Sequence, residues 1–483
     1  MSNSGGGVKI RDIHLALVCV LIFCFSLTAL YIKYEPSLSD TAFFGGDTWE
    51  YQSIAVNVCL GHGYQFGNAE TFETYRFDDN ECTYFLDKDA RPGGCRKVFD
   101  KGAYYSFYRT PGYPLFLALV YKVFGVHPRY AKIMQMVLLA SSISVFPWIG
   151  RHYWSNLGIL SGVVAALFVL YTYLLTAKPN YLDPTNILSE PLIVFGLSLW
   201  AVTSVFWEKK TTRTRTFFLG LASAVILLIK GITIFVPFLF IFYVILKFRK
   251  TSKTVELGLV FILGCSLLLI PWSVYASEKS GKIILLSTQF DDILLEGNNE
   301  DSINSGDWSY TWLTGNPQDY LYKRLEDSGY PATVKVLIFL SENKEDIPKL
   351  LKNKLLAAFS MYRTVISLML AYYLMVLANR FVHVKNQWSE TSGMKTARYW
   401  FLTEDFGHQS KTGGKSPDFY ESRKFPIFPL IYLLNIFLIT VIFFGYRRFV
   451  APFIIFYTLP VAYLLLALLS HLILLLRTGG RTT

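Results

Sequence analysis

Residues Ile13 to Tyr31, IHLALVCVLIFCFSLTALY, run without a single Asp, Glu, Lys or Arg. At 1.5 Å of rise per residue such a stretch forms a helix of about 28 Å, close to the ~30 Å hydrocarbon core of a bilayer. Inside hydrocarbon every backbone N–H and C=O must be paired within its own segment, so the block reads as a helix and not a strand. Lys9 and Arg11 precede it. Because Lys and Arg are retained on the cytoplasmic side, they place the N-terminus inside. No small-residue cleavage site follows, so the block reads as a retained span and not a signal peptide.

The same pattern recurs along the chain, at about 130–149, 157–176, 186–206, 217–228, 232–246, 257–275, 355–377, 425–444 and 449–476. The expected fold is therefore an all-α polytopic membrane protein with about ten transmembrane helices and both termini cytoplasmic. A composition that is 52% hydrophobic agrees, and it excludes a set of soluble domains with charged surfaces. The net charge of +11 sits in short loops between apolar blocks, as the retention of basic residues on one side requires. No nucleic-acid module is visible, and no nucleic-acid partner is expected.

Two long polar segments fall on the opposite, outer side. The first, 34–129, carries two stretches too short to span, Thr48–Leu60 and Pro114–Phe124, which read as helices lying at the interface. The second is 276–354. The chain thus divides into an N-terminal transmembrane module (1–275), an outer region (276–354) and C-terminal helices (355–483) with a basic inside loop, 379–424. Of the six cysteines, Cys82 and Cys95 share the first outer loop, where an oxidising compartment would let them pair. No internal repeat or interrupted-helix pair of the transporter kind is evident.

The outer ends of the spans collect ionisable groups. Asp47 follows Gly45-Gly46 shortly after the first span, and Asp183 and Glu190 sit at the start of the fourth. Lys230 closes the fifth, and Arg447 and Arg448 fill the last outer turn. Singly, each has a local use. Lys230 and Arg447 can anchor at headgroups, and Glu190 can complement a helix N-terminus. Together, at one depth and on one face, they suit group transfer from a phosphorylated lipid. A carboxylate can take a proton from an acceptor hydroxyl, and cations can hold a phosphate leaving group as its charge develops.

The stretch Gly46-Asp47-Thr48-Trp49-Glu50-Tyr51-Gln52-Ser53-Ile54-Ala55, then Gly61-His62-Gly63-Tyr64, then Arg109-Thr110-Pro111-Gly112-Tyr113-Pro114, resembles the first outer loop of the protein mannosyltransferase and lipid A aminoarabinose transferase superfamily, membrane glycosyltransferases of the GT-C fold. Ser189-Glu190-Pro191-Leu192, Leu228-Ile229-Lys230-Gly231, Pro271-Trp272, Leu286-Ser287-Thr288, Glu296-Gly297-Asn298-Asn299 and Arg447-Arg448-Phe449 follow in the order expected of that superfamily. The resemblance covers most of the chain, and its most specific element is Arg-x-Pro-Gly-Tyr-Pro.

The resemblance implies transfer of a sugar, with inversion, from a polyprenyl-phosphate-linked donor to a hydroxyl of a glycolipid, polysaccharide or protein. It makes Asp47 the catalytic base, and Lys230 with Arg447 or Arg448 the donor-phosphate site. Asp183 or Glu190 would orient those groups or an optional divalent cation, and Arg109 would contact the donor or brace the loop. It further implies a multi-pass protein of a bacterial inner membrane, with its site facing the periplasm. Two departures mark a side branch. Thr48 stands where many members carry Glu, and Tyr275-Ala276 stand where members often have Arg-Asn.

Phosphate-binding loops, dinucleotide fingerprints and Gly-x-Ser-x-Gly elbows are absent from the sequence. A flippase for lipid-linked sugars would place ionisable residues near mid-membrane, whereas here they crowd the outer ends. A non-catalytic envelope assembly protein would tolerate loss of the Asp47 charge.

Overall fold

The computed structural model describes residues 10–43, 46–78, 99, 102–175, 183–249, 251–306, 325, 328–360, 362–390 and 426–479. Cys82, Cys95, most of the loop 379–424 and the outermost residues of both termini lie outside the described residues.

Among the described residues the protein is all-α apart from one two-residue antiparallel pair, β1 (Gln65–Phe66) with β2 (Tyr104–Tyr105). Among the described residues six stretches are long and apolar enough to cross a membrane, or seven if a bent helix pair counts as one span. Helix α1 (Ile10–Tyr34) matches the first block, and the short helices α2 (Thr48–Leu60) and α3 (Gly112–Phe124) follow in the first outer segment. Helices α4 (Pro128–Ser144) and α5 (Phe146–Leu175) run on as one apolar stretch, but α5 breaks at Trp154 and Ser155, where the backbone leaves helical geometry. The chain folds back there. A Cβ on Gly150 would strike the Gly158 carbonyl, and one on Gly162 would strike Pro147, so the two arms meet backbone to backbone.

Helix α6 (Glu190–Lys209) is a full span, whereas α7 (Arg213–Ile229) has only 17 residues. Helices α8 (Phe235–Phe248) and α9 (Thr251–Ser280) complete the N-terminal module. Small residues let α7 and α9 approach closely: Gly220 abuts the Phe261 carbonyl, and Gly264 abuts that of Phe217. Such contacts replace the hydrophobic drive that is missing between helices in lipid.

Between α9 and the next long helices lie α10 (Gln289–Glu296), α11 (Glu300–Ser305) and α12 (Ala332–Glu342). The block expected to form a single span over 355–377 is instead broken. Helix α13 (Ile347–Phe359) and the apolar first part of α14 (Arg363–Glu390) meet at 98°. The reason is visible at Lys354 in α13, which is fully buried. Its Nζ donates to Asn298 Oδ1 at 2.7 Å and to the Val441 carbonyl at 3.2 Å, tying α13 to the turn after α10 and to the end of α15. Helix α15 (Ile427–Ile442) and helix α16 (Arg447–Gly479) end the fold.

Leu17, Leu21 and Phe25 on α1 are more than half exposed, as are Leu259, Leu263 and Leu267 on α9. In water these stripes would be costly; facing lipid tails they are the expected outer surface of a membrane bundle. Inside, Trp200, Trp207, Tyr432 and Phe240 pack in edge-on and tilted contacts. Their polar atoms are satisfied: the Trp200 indole donates to Ser223 Oγ at 2.8 Å and the Tyr432 hydroxyl to the Leu197 carbonyl at 2.7 Å.

Candidate active site

The Arg109-Thr110-Pro111-Gly112-Tyr113-Pro114 segment is docked onto the C-terminal end of α7. Thr110 Oγ1 donates to the Ile229 carbonyl at 2.9 Å, and the Tyr113 hydroxyl donates to Gln135 Oε1 at 2.6 Å. A Cβ on Gly112 would lie 2.7 Å from the Leu228 carbonyl, so only glycine permits the approach. The Tyr64 hydroxyl holds the Arg109 carbonyl at 2.9 Å. These contacts bring Arg109 beside Lys230, the residue that follows α7.

Asp47 occupies the N-cap position of α2 but caps nothing. Its Oδ1 accepts from Arg109 Nη2 at 2.7 Å, and its Oδ2 pairs with Arg448 Nη2 at 2.7 Å. Glu50, one turn on, accepts from Arg109 Nε. Glu190, wholly buried in the first turn of α6, accepts from Lys230 Nζ at 2.6 Å and from Arg448 Nε through the same Oε1. Its Oε2 is buried with no hydrogen-bond partner. Three carboxylates therefore interleave with three cations.

Burial disfavours the Asp47 carboxylate, but Arg109, Arg448 and Lys230 outweigh it and hold the carboxyl well below the usual range. Burial dominates at Glu50, whose carboxyl stays raised despite Arg109. Lys230 is pulled down to about 8, chiefly by burial, with Glu190 opposing. Burial also raises the Tyr51 hydroxyl, further lifted by Asp47. The Tyr51 ring lies 5.5 Å from the Arg109 guanidinium carbon.

Asp47, Tyr51, Arg109, Lys230 and Arg448 line a cavity of about 390 Å3. Ile232, Phe290, Ile293, Phe443 and Phe449 add an apolar lining. Arg448 is aimed into the cavity by the turn before α16. Asn298 Nδ2 donates to the Ile442 carbonyl at 2.9 Å, Gly445 N donates to the Gly306 carbonyl at 2.9 Å, and Gly445 abuts the Lys354 backbone too closely for any side chain. Arg447 starts α16, but its side chain lies outside what is described.

Of the residues singled out from the sequence, Asp47, Arg109, Glu190, Lys230 and Arg448 come together. Asp183 does not join them. Its Oδ1 accepts from Thr185 N at 2.8 Å and Thr185 Oγ1 at 2.7 Å, so it shapes its own turn. Among the described residues no group of three or more His, Cys, Asp or Glu could hold a metal ion. The reading had no role for Glu50 or Glu296. Glu50, one helical turn after Asp47, engages Arg109. Glu296, the last residue of α10, lines the same cavity. Its signal was present in the Glu-Gly-Asn-Asn motif, where the two asparagines brace the turn by donating to the Leu294, Leu295 and Glu296 carbonyls.

No protein-family model and no curated protein matches this chain. Among solved structures it is similar to the crystal structure of ArnT from Cupriavidus metallidurans bound to undecaprenyl phosphate, with 14% identity, a TM-score of 0.38, and coverage of 92% of this chain and 76% of that one. The apo state of the same protein gives 12% identity and a TM-score of 0.39 over the same shares. At TM-scores below 0.5 these likenesses carry no argument about the site.

Proposed function

We propose that the protein is a membrane glycosyltransferase that moves a sugar from a polyprenyl-phosphate donor to a hydroxyl acceptor at the outer face of the membrane. The observation that carries this reading is the composition of the cavity: a largely shielded triad of cations, Arg109, Lys230 and Arg448, beside an apolar lining. A lipid-linked phosphate has that shape and polarity, with a charged head and a hydrocarbon tail. The order of the sequence motifs along the chain supports the same reading.

Three acids offset the three cations before a ligand arrives. A sugar phosphodiester brings one negative charge, and its departing phosphate gains a second as the glycosidic bond breaks. Fixed cations in a water-poor site favour that developing charge more than they favour the bound donor. Guanidinium groups bind phosphate oxygens in pairs, and the Lys230 ammonium adds a point charge. The acceptor must also lose a proton, and two acids face the cavity, Asp47 and Glu296. The superfamily resemblance designates Asp47. The acceptor is a glycolipid, a polysaccharide or a protein.

The purified protein in detergent, offered a panel of polyprenyl-phosphate sugars and an envelope extract, is expected to release polyprenyl phosphate from one of them, read by mass spectrometry. Asp47→Asn, equally well folded, should not. A folded wild-type sample that turns over none of the panel would count against an enzyme and in favour of a transporter or an assembly protein.

A further inference from the structure

Asp47 is poorly placed to take a proton while both its oxygens are held, Oδ1 by Arg109 and Oδ2 by Arg448. Glu296 differs in each respect. Its residue is 5% exposed, it lines the same cavity, and its carboxyl makes no hydrogen bond or ion pair with another described residue. It ends a helix whose following turn is fixed from both sides. Gly297 is seated against the Phe443 carbonyl, and Asn298 is held by Lys354 Nζ at 2.7 Å. A free carboxyl on a rigid mount, facing a cavity that holds the cations, is placed as a proton acceptor.

Resting on the glycosyltransferase reading, we infer that Glu296 takes the acceptor's proton and that Asp47 is a positioning residue that sets Arg109 and Arg448 around the donor phosphate. In the reaction the acceptor oxygen bonds to the anomeric carbon as the bond from that carbon to the phosphate oxygen breaks. The electron pair leaves with the phosphate, and the acceptor's proton passes to a Glu296 oxygen. The groups around Glu296 support the assignment. Burial and then Asp292 on its own helix push it up to about 7, Arg109 opposes, and Asp47 adds to the rise. Lys230, Arg448 and Tyr446 share the cavity, and Lys354 stands behind Asn298. A base near neutrality combines adequate ionisation with adequate proton affinity, whereas a carboxylate held far lower is a weak base.

The test is kcat/KM against pH for the wild type, Glu296→Gln, Glu296→Asp and Asp47→Asn, with thermal stabilisation by polyprenyl phosphate as a separate measure of donor-site integrity. Wild-type kcat/KM should rise as pH passes through about 7. Glu296→Gln should lose about 10²- to 10⁴-fold in turnover, and the rise with it, while polyprenyl phosphate still stabilises it. Glu296→Asp should recover part of the rate, and Asp47→Asn should lose the stabilisation. A rise that persists in Glu296→Gln would overturn the assignment and return the proton to Asp47, released from its arginines by the donor phosphate. Absence of wild-type turnover on every sugar donor would instead remove the glycosyltransferase reading itself.

Discussion

Glu190→Gln isolates the electrostatic logic of the site in a single near-isosteric change. Glu190 is fully buried and one of its oxygens serves both Lys230 and Arg448. At the 2.6 Å Lys230 contact, an effective dielectric constant of about 20 gives a gross attraction of about 6 kcal/mol. Burial offsets much of that, and removing one partner from a buried pair typically costs ~3–5 kcal/mol. The loss falls on cations that then face one another without their shared counter-ion. Lys230, already drawn down to about 8 by burial, depends on Glu190 for its largest upward pull. A loss of only about 2 kcal/mol in favour of its charged form would carry it below neutrality. The variant should therefore melt at lower temperature in detergent. Its affinity for polyprenyl phosphate, read as thermal stabilisation across the pH range, should collapse above neutral pH, where the wild type still binds. A Glu190→Gln protein with wild-type melting and an unmoved alkaline limb would refute the claim that Glu190 holds these cations together.

Lys230→Ala removes a charge-assisted contact and should weaken polyprenyl-phosphate affinity by about 1.5–3 kcal/mol, read by titration at pH 7. In the wild type that lysine is protonated below about 8 and neutral above it, so donor affinity should fall as pH rises through that value and recover on return. Gly112→Ala drives a methyl group into the Leu228–Ile229 backbone and should lower both the melting temperature and turnover by separating Arg109 from Lys230; wild-type values for both would contradict the docking described. Cys82 and Cys95 are expected to form a disulfide, so alkylation of intact cells without reductant should label neither of them.

Much of the site was legible because charge alternation fixes which loops share a face. That argument alone brought Asp47, Glu190, Lys230 and Arg448 to one side, although they lie as much as 401 residues apart in the chain. It could not separate Asp183 from Glu190, seven residues on, because the difference is local: Asp183 is consumed by Thr185 while Glu190 turns inward. Nor could it see Glu296. Hydropathy treats the second outer region as featureless polar chain, and what matters there is the seat of Gly297 and Asn298 on the end of α15. The fold shows the same division. Long apolar blocks such as Ile13–Tyr31 became helices where expected. The bend between α13 and α14 escaped, because Lys354 reads as an ordinary flank to a span until Asn298 and Val441 are seen to accept its bonds.

The cavity draws its cations from three places in the chain, and Arg448, on α16, is the last of the three to be translated. Until that helix enters the bundle, Asp47 and Glu190 lack one of their guanidinium partners, and the ring of alternating charge stays open. A nascent chain paused before α16 would expose buried carboxylates in surroundings that penalise them. The site is thus complete only once α16 has been made and has joined the bundle. A chain made as two co-expressed pieces divided between α14 and α15 would regain its donor site only when the second piece joins the first in the bilayer.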